Sequence, residues 1–123
     1  MSVLGWILAG ALAAVFFAAG SAKLATPKQK LEANPNMAWT VNFSESQVKA
    51  IGAVEVLGAL GVVLPWLLNI APVLTPVAAL GLAITMVAAA IVHGRRGEKQ
   101  ALPINAVLLV LALVVAVIRF SQL

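Results

Sequence analysis

Cysteine is absent from the 123-residue sequence, which excludes disulfide exchange, thiolate nucleophiles, thiolate metal sites and iron–sulfur ligation. Charge is scarce as well: 10% of residues are Asp, Glu, Lys or Arg, against roughly a quarter in soluble domains. One His and four acidic residues are a thin inventory for a closed metal site, so no metal centre is expected. No Ser, His and acid spacing matches a nucleophile motif. A net charge of +4 and a pI near 10.2 invite a nucleic-acid reading. The eight Lys and Arg, however, mostly flank hydrophobic runs instead of forming a stripe, so no nucleic-acid partner is expected.

What remains is grease. Hydrophobic residues make up 63% of the chain, and about 20 mainly apolar residues in a row suffice for a helix to cross a bilayer. Four segments qualify, Val3 to Leu24, Glu45 to Leu68, Pro72 to His93 and Leu102 to Phe120. The fold class expected is therefore all-α, a four-transmembrane-helix bundle forming a single membrane domain over residues 1–123. Pro27 stops the first helix, and Ser44 with Gln47 forms a capping box for the second. Pro72 suits the first turn of the third helix and Pro76 a small kink one turn on, while Pro103 sits near the start of the fourth. The first run lacks a basic n-region and is longer than a signal-peptide core, so it reads as a retained helix.

The turn at Asn69 makes the second and third helices antiparallel neighbours, and Gly94 to Ala101 is almost as short. Residues 25–43 are the long exception. Within them Met37, Trp39, Val41 and Phe43 place apolar side chains at alternate positions. A lone strand leaves its backbone unsatisfied in lipid, so this segment is expected at the interface or folded over the bundle's mouth, with Trp39 and Phe43 as its anchors. Lys28, Lys30, Lys49, Arg95, Arg96 and Lys99 share one membrane side. The positive-inside rule makes that side cytoplasmic and puts both termini on the non-cytoplasmic side.

Glu55 is the most informative position, because an ionised carboxylate inside a membrane helix costs on the order of 3 kcal/mol and needs a partner or a proton. It is expected to face inward, roughly 9 Å below the basic surface by its spacing from Lys49, with Gly52, Gly58 and Ala59 on its face. Lys23 ends the first helix, His93 the third, and Asn105 begins the fourth, so each helix delivers one polar group to the same mouth. Three readings fit: a hydrogen-bonded network that fixes helix register, a pocket for the polar head of a lipophilic molecule, or proton transfer through Glu55 and His93. His93 otherwise reads as a solvated helix end, Met86 as core, and Thr85 as a hydroxyl bonded to backbone. Arg119 lies about 24 Å further along than the basic surface and is expected to snorkel to the opposite headgroups.

Several stretches resemble the DoxX-like family of small four-helix membrane proteins: Phe17 to Leu24, Ile51 to Gly61 continuing to Leu64 and Pro65, and Ala79 to Ala83 leading through Met86 to His93, Arg95, Arg96 and Glu98. The Gly-x-x-Glu-x-x-Gly spacing around Glu55, with Gly20 and Lys23 ending the helix before it, carries the resemblance. It implies a fold similar in outline to vitamin K epoxide reductases and thiosulfate:quinone oxidoreductase subunits, emphasis on Lys23, Glu55 and His93, and partnership with other redox or stress-response proteins. Without cysteine, paired-thiol reductase chemistry is excluded, and a redox role would need a partner, a bound quinone or another cofactor. The expected function is an accessory or binding subunit holding a lipophilic small molecule, such as a quinone or lipid, or a partner's segment around Glu55. The competing expectation is a quinone-linked oxidoreductase component. Small-residue faces also permit a homo-oligomer.

Overall fold

Runs of Ala, Leu, Val and Ile offer no side chain that competes for backbone hydrogen bonds, and in lipid a helix satisfies every N–H and C=O within its own segment. The computed structural model describes residues 2–123 and contains four such helices. They are α1 (Ser2–Ala25), α3 (Glu45–Leu68), α4 (Leu74–Arg95) and α5 (Leu102–Ser121), with a short α2 (Lys28–Ala33) between the first two. The protein is an all-α integral membrane protein of the multi-pass type. Around the bundle, α1 lies chiefly against α3 and α5 chiefly against α4, while α3 with α4 and α1 with α5 close the ring. The core is built of small and branched apolar groups, among them Ala9, Leu12 and Phe16 of α1, Ala59 and Val62 of α3, Leu82 and Met86 of α4, and Ala112 and Val115 of α5. Large apolar side chains such as Ile7, Leu57, Ile84 and Val117 stay on the outside, the distribution expected when the solvent is itself hydrocarbon.

The expected capping box is present: Gln47 N–H donates to Ser44 Oγ at 3.1 Å, and Ser44 N–H donates to Gln47 Oε1 at 2.9 Å. α4 begins at Leu74, two residues later than expected, because Asn69 and Ala71 take left-handed conformations (φ 53° and 47°) and draw Pro72 into the turn. Pro76 consequently falls in the first helical turn and not one turn beyond it, where a missing N–H breaks no helical bond. Pro65 is different, since it lies inside α3 and cannot donate to the carbonyl of Gly61 four residues back. The buried Thr75 hydroxyl of α4 donates to that same Gly61 oxygen at 3.1 Å. One helix thus repairs the gap its neighbour's proline opens.

The connection over residues 25–43 is more ordered than its alternating pattern suggests. After α2, residues Pro35–Asn42 wind into a 3₁₀ helix. Pro35 fixes the first turn, Asn34 Oδ1 accepts from the Asn36 N–H at 2.9 Å, and Thr40 Oγ1 donates to the Met37 carbonyl at 2.7 Å. With three residues per turn, the four alternating apolar side chains do not share one face: Met37, Trp39 and Phe43 turn toward the bundle, and Val41 is exposed.

Candidate functional site: an apolar cavity beside a buried ion pair

Gly20 of α1 and Gly52 of α3 bring two backbones into contact. A Cβ on Gly20 would sit 2.6 Å from the Gly52 carbonyl oxygen, and one on Gly52 would sit 2.9 Å from the Gly20 oxygen. Three residues beyond each glycine stand Lys23 and Glu55. Helical side chains lean toward their own N-terminus, so in this antiparallel pair the two lean toward each other. Lys23 Nζ lies 2.6 Å from Glu55 Oε1, with both side chains almost wholly buried. The contact is a buried ion pair. Its cation also lies 5.8 Å from the centre of the Trp39 ring.

Lys49, which the sequence marks only as a flanking charge, supports this end of α1. Its ammonium donates to the carbonyls of Lys23 and Leu24 at 2.9 Å and of Thr26 at 3.1 Å. The first two are carbonyls that a helix end leaves unpaired, at the end where the helix dipole favours a cation.

Beside the ion pair is a cavity of about 400 Å³, bordered by all four membrane helices and by the 3₁₀ segment. Lys23, Glu55, His93 and Asn105 all line it, together with Trp39 and Phe43. The structure therefore brings the six expected residues to one place, but not as one hydrogen-bonded network. His93 Nδ1 is taken by Glu98 Oε1 at 3.0 Å, and Glu98 also holds Arg96 Nε at 3.2 Å. Asn105, only 8% exposed, donates through Nδ2 to Met86 Sδ at 3.7 Å and leaves Oδ1 without a protein partner.

His93 is also not a solvated helix end. Its ring is largely buried and stands edge-on to Trp39, centroids 6.4 Å apart, while Trp39 stands edge-on to Phe43 at 5.5 Å. Glu98 was hidden because its role arises only after the chain turns back at Gly97 (φ 71°). The 3₁₀ segment is tied to the far side of the mouth by Arg96, whose guanidinium donates to Asn42 Oδ1. Thr85 donates to the Gly81 carbonyl at 2.9 Å, and Met86, expected as core, is both core and cavity wall.

Arg119 departs furthest from expectation. It does not snorkel: the side chain is 0% exposed, with Cζ 4.8 Å from the Trp6 ring and 4.5 Å from the Trp66 ring. Gly5 makes room for it, since a Cβ there would stand 3.0 Å from Nη1. Two indole faces on other helices give the cation an alternative to headgroup water.

No curated protein and no solved structure shows significant similarity to the chain. A family model does match it, over residues 7–115, and is described as the DoxX-like family.

Proposed function

The chain belongs to the DoxX-like family of membrane proteins, and on that premise we propose that it is an accessory or binding subunit whose cavity holds a lipophilic small molecule. The observation that carries this reading is the unpartnered Asn105 Oδ1 on the wall of a largely apolar cavity. A buried polar atom without a partner costs roughly 1–3 kcal/mol, and a polar head group inserted there would offset it. About 400 Å³ falls within the range of small-molecule sites. Phe16, Met86 and Leu108 would flank an apolar body, while the Lys23–Glu55 pair and Asn105 would fix the head. A quinone or a lipid has this division of polarity, as does an amphipathic segment of a protein partner.

Native mass spectrometry of protein extracted in a mild detergent tests the proposal. The expected result is a bound small molecule or partner that is lost in Asn105→Leu while the bundle stays folded. An empty wild-type protein, from detergent and from native-lipid particles alike, would end this reading.

A second reading has its own support, because the Lys23–Glu55 pair and His93, itself paired with Glu98 behind it, border one cavity. On it the protein is a component of a quinone-linked oxidoreductase, and these pairs pass protons to and from a bound carrier. Glu55→Gln separates the two. Retained folding and ligand with lost electron transfer in the presence of a partner supports proton chemistry; retained electron transfer removes it.

A further inference from the structure

The other end of the bundle carries an unsolved electrostatic problem. Arg119 is wholly buried, its Nη1 donates to Gln122 Oε1 at 2.8 Å, and its Nε and Nη2 donate to nothing among the described residues. The acids of the chain are Glu32, Glu45, Glu55 and Glu98, and every one belongs to the end bearing Lys23 and His93 or its margins. No carboxylate side chain forms an ion pair with Arg119. The last carbonyls of α5 and the faces of Trp6 and Trp66 favour the positive charge, yet neither accepts a hydrogen bond from the two orphaned nitrogens. A buried guanidinium with donors free of protein acceptors retains the capacity to bind an anion.

Its surroundings name the chemistry. Trp6 is near the start of α1, Trp66 near the end of α3 and Arg119 in the last turn of α5, so all three stand at headgroup depth. A concavity of about 290 Å³ is walled by Trp66, Asn69, Pro72, Gln122 and Leu123, with Arg119 behind Gln122. Gln122 is common to the concavity and to the guanidinium: its carboxamide oxygen holds Nη1, and its departure would let an oxyanion in the concavity reach that nitrogen.

We propose that Arg119, flanked by Trp6 and Trp66 and stoppered by Gln122, forms a second site that takes a phosphate-bearing anion at the membrane surface opposite the cavity. A planar guanidinium offers paired N–H donors that match two phosphate oxygens, and Asn69 stands on the rim to reach the remainder of the group. The phosphate comes either from a phospholipid headgroup or from solution. This site is independent of the cavity and of the function proposed for it.

The test uses the full chain in dodecyl maltoside with three probes: dihexanoyl phosphatidylglycerol, inorganic phosphate and dihexanoylglycerol, which has the same tails without phosphate. Thermal midpoint and retained ligand in native mass spectra are the readouts. The expected result is a rise in midpoint with the phospholipid and none with dihexanoylglycerol, and a loss of affinity in Arg119→Gln of roughly tenfold or more, the worth of a charge-assisted hydrogen bond. An equal rise with inorganic phosphate supports the site and makes its ligand a soluble anion. Gln122→Ala guards against a misfolded arginine variant: with the stopper gone, phospholipid retention rises if the site exists. Unchanged retention in Gln122→Ala, or no response of the wild type to either phosphate probe, overturns the proposal and leaves Arg119 as a strut between three helices.

Discussion

Lys23 and Glu55 illustrate how a residue's worth depends on what is left when it is removed. Burying both costs several kcal/mol per ion, and their attraction returns about that much. Lys23→Met alone strands a carboxylate in the interior and is expected to lower stability by about 3–5 kcal/mol. Lys23→Met combined with Glu55→Leu is expected to recover most of that loss, as measured by denaturant-induced unfolding in micelles. A double variant as unstable as the single one would mean that the pair contributes more than charge neutralisation. The pairing was legible in the sequence because a carboxylate in mid-helix demands a partner and Lys23 is the nearest cation on the adjacent helix. The place of Arg119 was not legible, since Trp6 and Trp66 lie 113 and 53 positions away in sequence and become its neighbours only once the ring closes.

Two features of whole helices set where these residues stand. The Gly20–Gly52 contact leaves no space for a methyl group against opposing backbone, so Gly52→Ala is expected to push α1 and α3 apart and cost about 1–3 kcal/mol. The thermal midpoint checks it, and Gly81→Ala, where a Cβ meets nothing within 4 Å, is the control that should be neutral or mildly stabilising. Pro65 makes the second feature. Thr75→Val keeps the volume but deprives the Gly61 carbonyl of its donor, and it is expected to cost about 1–3 kcal/mol. Pro65→Ala restores the helical donor, so in that background the threonine substitution should cost markedly less. The ends of α3 were legible to the residue because the capping box and Asn69 are local signals. The 3₁₀ helix over residues 35–42 was not, because four apolar residues in alternation look the same whether a strand or a tight helix carries them, and Asn34 and Pro35 decide between the two.

At the scale of the molecule, polarity is divided between the two membrane surfaces. Lys28, Lys30, Lys49, Arg95, Arg96 and Lys99 gather at one end, and Arg119 is withdrawn into protein at the other. By the positive-inside rule the cavity end is predicted to face the cytoplasm. Because the chain has no cysteine of its own, Gln100→Cys and Ser121→Cys each give a single exposed thiol for labelling. In intact cells an impermeant maleimide is expected to modify the second and spare the first, and the reverse pattern would invert the orientation. The four spans were readable from hydropathy, and a pocket at their mouth from the convergence of Lys23, Glu55, His93 and Asn105, whereas the size of the cavity was not, because it is what the helices leave unfilled. The least intimate seam of the ring lies between α1 and α5. Val15 of one and Ile104 of the other border the cavity and are at the same time exposed on the outer face. A lipophilic ligand of the kind proposed, already dissolved among acyl chains, would enter sideways there, and its hydration shell, shed on joining the bilayer, would not have to be stripped a second time.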